Sequence, residues 1–258
     1  VPKTNCIELA TGEHILILHE DRSVLAIDKP RGWMLVPFSW QRTARNLQAA
    51  LTSSIAAGDF WARSRNLKFL RFIHRLDADT TGILLFARSR GALDAYRRLF
   101  ESREMEKVYL AVVDGAPDRL DWTCRLPIGP DPTRPGKMRI DQRHGKPAET
   151  LFHVLQRGAQ NHTLLEARPT TGRTHQIRIH LAASGCAVAG DPLYGTESRD
   201  QLELGLRAVE LAYTDPFTQK RVRIQAPTRA FLAAHGFDRE RHEPTHDIFS
   251  HPPGKISG

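Results

Sequence analysis

Three stretches of this sequence carry side chains able to do chemistry: HRLDADTTGILLFAR (His74 to Arg88), EKVYLAVV (Glu106 to Val113) and GRTHQIRIHLAASGCAVAGDPLYG (Gly172 to Gly195). Asp77 stands just before a turn and an apolar run. A carboxylate there can act as a nucleophile or base, or simply form the turn. Asp79 reads as the turn residue. The facing carboxylate pair of a glycosidase is not the expected reading of these two acids. Tyr109 lies in an alternating strand, where a core or interface role is the ordinary one. Arg178 lies one helical turn beyond Thr174, among apolar Ile177 and Leu181, where a salt-bridged surface arginine is the plain alternative. His175 and His180 are five apart, which excludes the helical HExxH zinc pair; structural or ligand-contact roles fit both. TTGRTH (Thr170 to His175) places free N–H groups at a helix start, where they can hold an anion. Neither the P-loop pattern nor GxGxxG is present.

The elements that must position these residues can be read from periodicity. HILILHED (His14 to Asp21) and SVLAIDKP (Ser23 to Pro30) predict two strands joined by a short turn. Thr43 to Ala57 predicts a helix, with Thr43 as N-cap and Gly58 as its stop. Gly82 to Arg88 predicts a strand, followed by a helix that Ser89 caps, with Ala92, Tyr96, Leu99 and Phe100 on its apolar stripe. Further strands are expected at Lys107–Gly115, Thr150–Gln156, Thr163–Arg168, Ala208–Thr214 and Arg221–Gln225. Thr174 to Ser184 predicts a short helix ended by Gly185. Residues Arg125 to Gly145, rich in proline, glycine and cations, predict a basic loop or loose hairpin. Strands outnumber helices and do not alternate strictly with them. The fold class is therefore α+β, with a mixed, mostly antiparallel central sheet and flanking helices. The expected organisation is one folded unit over residues 1–238, without a separate N-terminal accessory module, and a polar, mobile tail over residues 239–258.

Composition narrows the function classes. The 258 residues carry 37 Lys and Arg against 29 Asp and Glu, a net charge of +8, and the pI is about 9.7. Such a balance suits a polyanionic partner, although a basic enzyme without one has the same signature. Cys6, Cys124 and Cys186 are scattered, without the spacing of a zinc site or a disulfide scaffold. No apolar run has the length of a membrane span, and no secretory signal pattern is visible. A cytoplasmic location and a monomer are the simplest expectations.

In order and wording, the three stretches resemble the signatures of the RluA family of RNA pseudouridine synthases. DKPRGW (Asp28 to Trp33) and GKPAET (Gly145 to Thr150) resemble weaker landmarks of that family. The resemblance runs from about Ile15 to Pro227. It implies Asp77 as the catalytic carboxylate, Tyr109 packing against the target base, and Arg178 paired with Asp77. It also implies Arg75 entering the RNA stack to hold the target nucleotide out. His74, Arg173 and His175 are expected on the substrate side. Lys137, Arg139, Arg143 and Lys146 of the basic loop are expected on RNA phosphates. The implied partner is rRNA, or else tRNA, and the implied reaction is an isomerisation that needs no cofactor and no metal. A catalytically silent RNA-binding protein of the same fold is the competing reading. Thr81, where the family often has serine, and Arg207 and Asp215, where it often has histidine, depart from the pattern.

Overall fold

The computed structural model describes residues 3–9, 11–35, 45–159, 161–195 and 203–237. Thirteen strands are β1 (Cys6–Glu8), β2 (His14–Glu20), β3 (Val24–Lys29), β4 (Arg71–Phe72), β5 (Thr81–Ala87), β6 (Glu106–Asp114), β7 (Asp121–Cys124), β8 (Ile128–Pro130), β9 (Met138–Ile140), β10 (Thr150–Arg157), β11 (His162–Pro169), β12 (Leu206–Thr214) and β13 (Arg221–Gln225). Five helices are α1 (Leu47–Ala57), α2 (Phe60–Arg63), α3 (Arg90–Glu101), α4 (Gln176–Ala183) and α5 (Arg229–Ala234). The main sheet has the order β1-β2-β3-β5-β12-β6-β11-β10-β7, with β13 added to β12 and β4 to β5; β8 and β9 form a separate hairpin. The basic segment read as a loose hairpin is that hairpin.

Burial on both faces explains the continuous apolar strands. In β3, Leu25 and Ile27 enter a cluster with Leu47 and Leu51 of α1. Val24 and Ala26 enter another with Ala92 and Tyr96 of α3. The C-terminal half repeats the arrangement. Ala111 and Val113 of β6 pack with Ile177 and Leu181 of α4, and Val108, Leu110 and Val112 face Leu232 of α5.

Helix ends follow local chemistry. Ser89 caps α3 by accepting from the Ala92 amide at 3.1 Å. Asn46, not Thr43, caps α1, accepting from the Ala49 amide at 3.0 Å; Thr43 lies outside the described residues, as does the tail from Arg239. Gly58 ends α1 in the left-handed region, φ 72°, where glycine has no Cβ penalty.

The two halves of the sheet meet where β5 and β12 run parallel over only two residue pairs, Arg207↔Thr81 and Ala208↔Gly82. All other strand pairings among the described residues are antiparallel. Beyond the junction, β12 turns to β13 and β5 turns to β4, so the sheet forks. A bulge between Ala208 and Glu210 shifts the register of β12 against β6 beside Tyr109, a device that re-aims side chains at such places. Gly82 makes the junction possible: its φ is +104°, and a Cβ there would lie 2.0 Å from the Ala208 carbonyl oxygen. Gly82→Ala is therefore expected to lower the unfolding free energy by at least about 3 kcal/mol, from overpacking and backbone strain together. Urea denaturation checks this; a loss below about 1 kcal/mol would mean that the junction adapts.

Candidate active site

The loop from β4 to β5 carries Asp77 to the junction, and its path is fixed from beneath. Lys29, at the end of β3 and fully buried, donates from Nζ to the carbonyls of Pro30 (3.0 Å), Ala78 (2.6 Å) and Thr80 (3.0 Å). The Gly32 amide also donates to the Ala78 carbonyl at 2.8 Å. Burial lowers the Lys29 pKa to about 8, with Asp79 and Asp77 acting in the opposite direction. The two side chains diverge because the chain bends at residues 78–79: Asp77 turns to the cleft, and Asp79 lies 3.6 Å from the exposed Arg31 guanidinium.

Across the cleft, α4 is buried on every side. Ile177 and Leu181 face the core beneath, Ile179 faces the β8–β9 hairpin cluster, and His180 bonds the Thr150 hydroxyl and the Leu126 carbonyl, both at 2.9 Å. His180 is thus structural. Gln176 folds the entry turn: its Oε1 accepts from the Thr171 hydroxyl (2.7 Å) and the Arg173 amide (3.0 Å). His175 takes the left-handed conformation at the helix start, φ 56°. Its Nδ1 lies 2.8 Å from the Tyr194 hydroxyl, and its Nε2 lies 3.8 Å from Asp77. Burial lowers its pKa; Asp77 opposes that shift and Arg178 reinforces it.

Arg178 joins the two sides. It is 4% exposed, not the surface residue that its helix suggested. Its Nη1 donates to Asp77 at 3.1 Å. Its Nε and Nη2 donate to the two oxygens of Asp191, both at 2.7 Å, a bidentate geometry with charge-assisted strength. The Asp191 side chain is fully buried and also accepts from the amides of Leu193 and Tyr194. Burial opposes the charge on Arg178, but Asp191 first and Asp77 second raise its pKa above the ordinary value. Burial also raises the Asp191 pKa, and Arg178 and the two amides outweigh it, leaving the carboxyl below its ordinary value. The Tyr194 ring lies 5.3 Å from the Arg178 guanidinium carbon.

Tyr109, on β6, packs against the clusters of both halves at once. Burial, reinforced by the Asp77 charge, raises its pKa, so it enters neutral chemistry as a protonated phenol. Asp77, Tyr109, Arg178, His74, Arg75, Arg173 and His175 all line one cleft of about 690 Å³. Arg75 is exposed there, with no ion pair or hydrogen bond from its guanidinium among the described residues. His74 is committed to the scaffold: its Nε2 accepts from the Leu85 amide at 3.1 Å, and its ring stacks on Phe100 with centroids 4.7 Å apart. Burial, helped by Lys107, lowers its pKa to about 3, which keeps it neutral. Lys107 also lines the cleft and was not picked out from sequence; burial, then Arg103, lowers its pKa to about 8.

Lys137, Arg139, Arg143 and Lys146 do not line this cleft. Their hairpin docks at its edge through Tyr194, whose hydroxyl accepts from the Met138 amide at 2.9 Å and whose ring lies 5.2 Å from the Lys137 ammonium. Arg139 lies 3.4 Å from Asp141. The departures from the family pattern have structural uses. Arg207 pairs with Asp28 at 2.6 Å, and Asp215 accepts from the Tyr96 hydroxyl and from the amides of Phe217 and Thr218. Asp191 and Tyr194 are the functional residues that sequence reasoning missed. The turn-rich GDPLYG segment stood out, but nothing local in it pointed to these roles. Among the described residues, no group of three or more His, Cys, Asp or Glu is placed to hold a metal ion.

A carboxylate, a guanidinium and a tyrosine converging at a fork in a mixed sheet define a class of site, and the comparisons with known proteins give the family. The chain matches the family model for RNA pseudouridylate synthase over residues 23–183, more than half its length. It is 35% identical over 223 residues to ribosomal large subunit pseudouridine synthase C of Salmonella typhimurium, covering 82% of this chain and 66% of that protein. It is 34% identical over 235 residues to the uncharacterized RNA pseudouridine synthase YlyB of Bacillus subtilis, covering 88% of this chain and 74% of that one. The structure of human RNA pseudouridylate synthase domain containing 1 superposes with a TM-score of 0.69 at 28% identity, covering 85% of this chain and 87% of that one. This chain belongs to the RNA pseudouridylate synthase family. It spans just under two thirds of the Salmonella protein.

Truncating one partner of a buried ion pair costs roughly 3–5 kcal/mol, because the other charge is left uncompensated. Asp191→Ala is expected to destabilise the fold by about that amount. Chemical denaturation measures it, and a change within about 0.5 kcal/mol would show that Arg178 finds another counterion.

Proposed function

We propose that this chain isomerises uridine to pseudouridine in a structured RNA, with Asp77 as the reacting carboxylate. The observation that carries the reading is the Asp77–Arg178 contact at 3.1 Å beside Tyr109, inside a cleft of nucleotide size.

The reaction breaks the bond from C1′ to N1, turns the uracil, and joins C5 to C1′. Asp77 acts on the ribose, either by attacking C1′ as N1 departs or by removing the C2′ proton as the base leaves. Joining C5 to C1′ then releases the carboxylate or returns that proton, while C5 gives up its proton and the freed N1 takes one. Atoms balance without an added reagent. Arg178 donates to that carboxylate at 3.1 Å and holds its orientation toward the ribose. Tyr109 supplies an aromatic wall for the base. The target must leave its stack, at a cost of a few kcal/mol. Arg75, exposed at the rim, is placed to fill the space left behind.

Ribosomal RNA is the first substrate to test, because the Salmonella and Vibrio cholerae relatives, 35% and 32% identical, are named for the ribosomal large subunit; tRNA is second. None of the described helices is long and apolar enough to cross a membrane.

Asp77→Asn preserves shape and removes the charge. Single-turnover assays on total rRNA from cells lacking the gene should show no pseudouridine formed by this variant, with RNA affinity close to wild type. Asp79→Asn should keep most of the activity. Circular dichroism confirms folding. Retained activity in Asp77→Asn, or loss confined to Asp79→Asn, would contradict the assignment and favour the silent RNA-binding reading or a different catalytic acid.

A further inference from the structure

A second groove opens beside the cleft. It lies between α3 and the β4 segment and is lined by Phe69, Arg71, Phe72, Arg90, Asp94 and Arg97, with Leu93 at its floor. Phe72 and Arg97 also line the catalytic cleft, so the two depressions share a wall. Arg71, Arg90 and Arg97 are exposed. None of their guanidiniums has an ion pair or hydrogen bond among the described residues, and Asp94 is the one acid in the lining. Several arginines elsewhere are paired: Arg65 with Glu20, Arg125 with Glu149, Arg207 with Asp28 and Arg223 with Glu210.

Arg90 breaks a local rule. It occupies the first position of α3, whose first turn contains no acid. A cation there opposes the helix dipole, so folding alone gives no reason for it. A phosphate at this point would be met by the free N–H end of the helix and by the guanidinium together. Along the helix, Arg90 and Arg97 are separated by about 10 Å, enough for a short run of backbone. The half-buried Phe69 and Phe72 add ring surface between the cations. Cations along a groove interleaved with aromatic rings are the features that hold single-stranded nucleic acid.

We propose that this groove carries the single-stranded flank of the target nucleotide, with phosphates on Arg71, Arg90 and Arg97 and a base against Phe69. The inference rests on the RNA reading given above and deepens it: the substrate enters with an unpaired flank, a loop or bulge rather than a continuous duplex. The groove delivers the strand along α3 into the cleft past Phe72 and Arg97, and Arg103 and Lys107 continue the line of positive charge toward Asp77.

The test measures binding of a fluorescent oligouridylate across a salt series. Arg71→Gln/Arg90→Gln should bind about tenfold more weakly than wild type, with a log–log salt slope shallower by about 1.4, as expected for two lost phosphate contacts on a single strand. Arg71→Lys/Arg90→Lys should restore most of the slope. Arg119→Gln/Arg229→Gln removes the same charge from exposed positions away from the groove and should change neither quantity. Equal weakening in this control would reduce the effect to net charge and overturn the groove. Wild-type affinity and slope in Arg71→Gln/Arg90→Gln would also overturn it, while conversion of rRNA uridine by the wild-type protein leaves the proposed function standing. A wild-type protein that neither binds RNA nor converts uridine would sink both.

Discussion

The site depends on one guanidinium held between two carboxylates. Asp191 takes two of the Arg178 donors in a bidentate pair, which leaves Nη1 aimed at Asp77. Geometry and charge are set by the same contact. The Arg178 plane cannot turn without breaking the Asp191 fork, so Asp77 meets a fixed donor. Two acids and one base leave a net charge of −1, so Asp77 is paired without its charge being cancelled. Burial of Asp191 makes the fork strong, because little water competes for it.

Much of the remaining structure serves to bring these three side chains together. Arg178 and Asp191 come from the C-terminal half, and Asp77 from the N-terminal half. The halves touch through two parallel residue pairs at Gly82 and Ala208, and Tyr109 packs across the seam. Lys29 holds the Asp77 loop through three carbonyls. A buried ammonium is costly in itself. Its retention is explained by the loop: without Lys29 the Pro30 and Thr80 carbonyls lose this donor, and Ala78 keeps only the Gly32 amide. The β8–β9 hairpin reaches the same centre from outside, through the Tyr194 hydroxyl and His175, which ties the basic segment to the edge of the cleft rather than leaving it loose.

Regular elements were legible because their periodicity is strong. The β2–β3 hairpin, α3 with its Ser89 cap, β5, β6, β10 to β13 and α4 fall close to their expected places. The pieces that escaped are short: β1, β4, β7, α2 and α5 have six residues or fewer, too few to show a period above the background of neighbouring loops. The α1 start shifted from Thr43 to Asn46, since both are good caps and only tertiary contact chooses between them. At the site, Asp77, Tyr109 and Arg178 were reached through family resemblance, not through local chemistry, which gave each a blander reading. Asp191 was invisible because its role lies in a partner 13 residues away on another element. The depth of Arg178 was equally hidden: a helix buried on all sides by different elements looks locally like an amphipathic one with a surface arginine. Lys29 escaped for a similar reason, since a lysine at a strand end is ordinarily solvated.

If Asp191 acts only by holding Arg178, the two residues form one functional unit. A double-mutant cycle on the single-turnover rate of pseudouridine formation tests this directly, using Asp191→Asn, Arg178→Met and the combination. The expected result is strong non-additivity, with the double variant no slower than Arg178→Met alone, because the positioning residue has nothing left to position. Independent losses that multiply in the double variant would contradict the account and give Asp191 a role separate from Arg178.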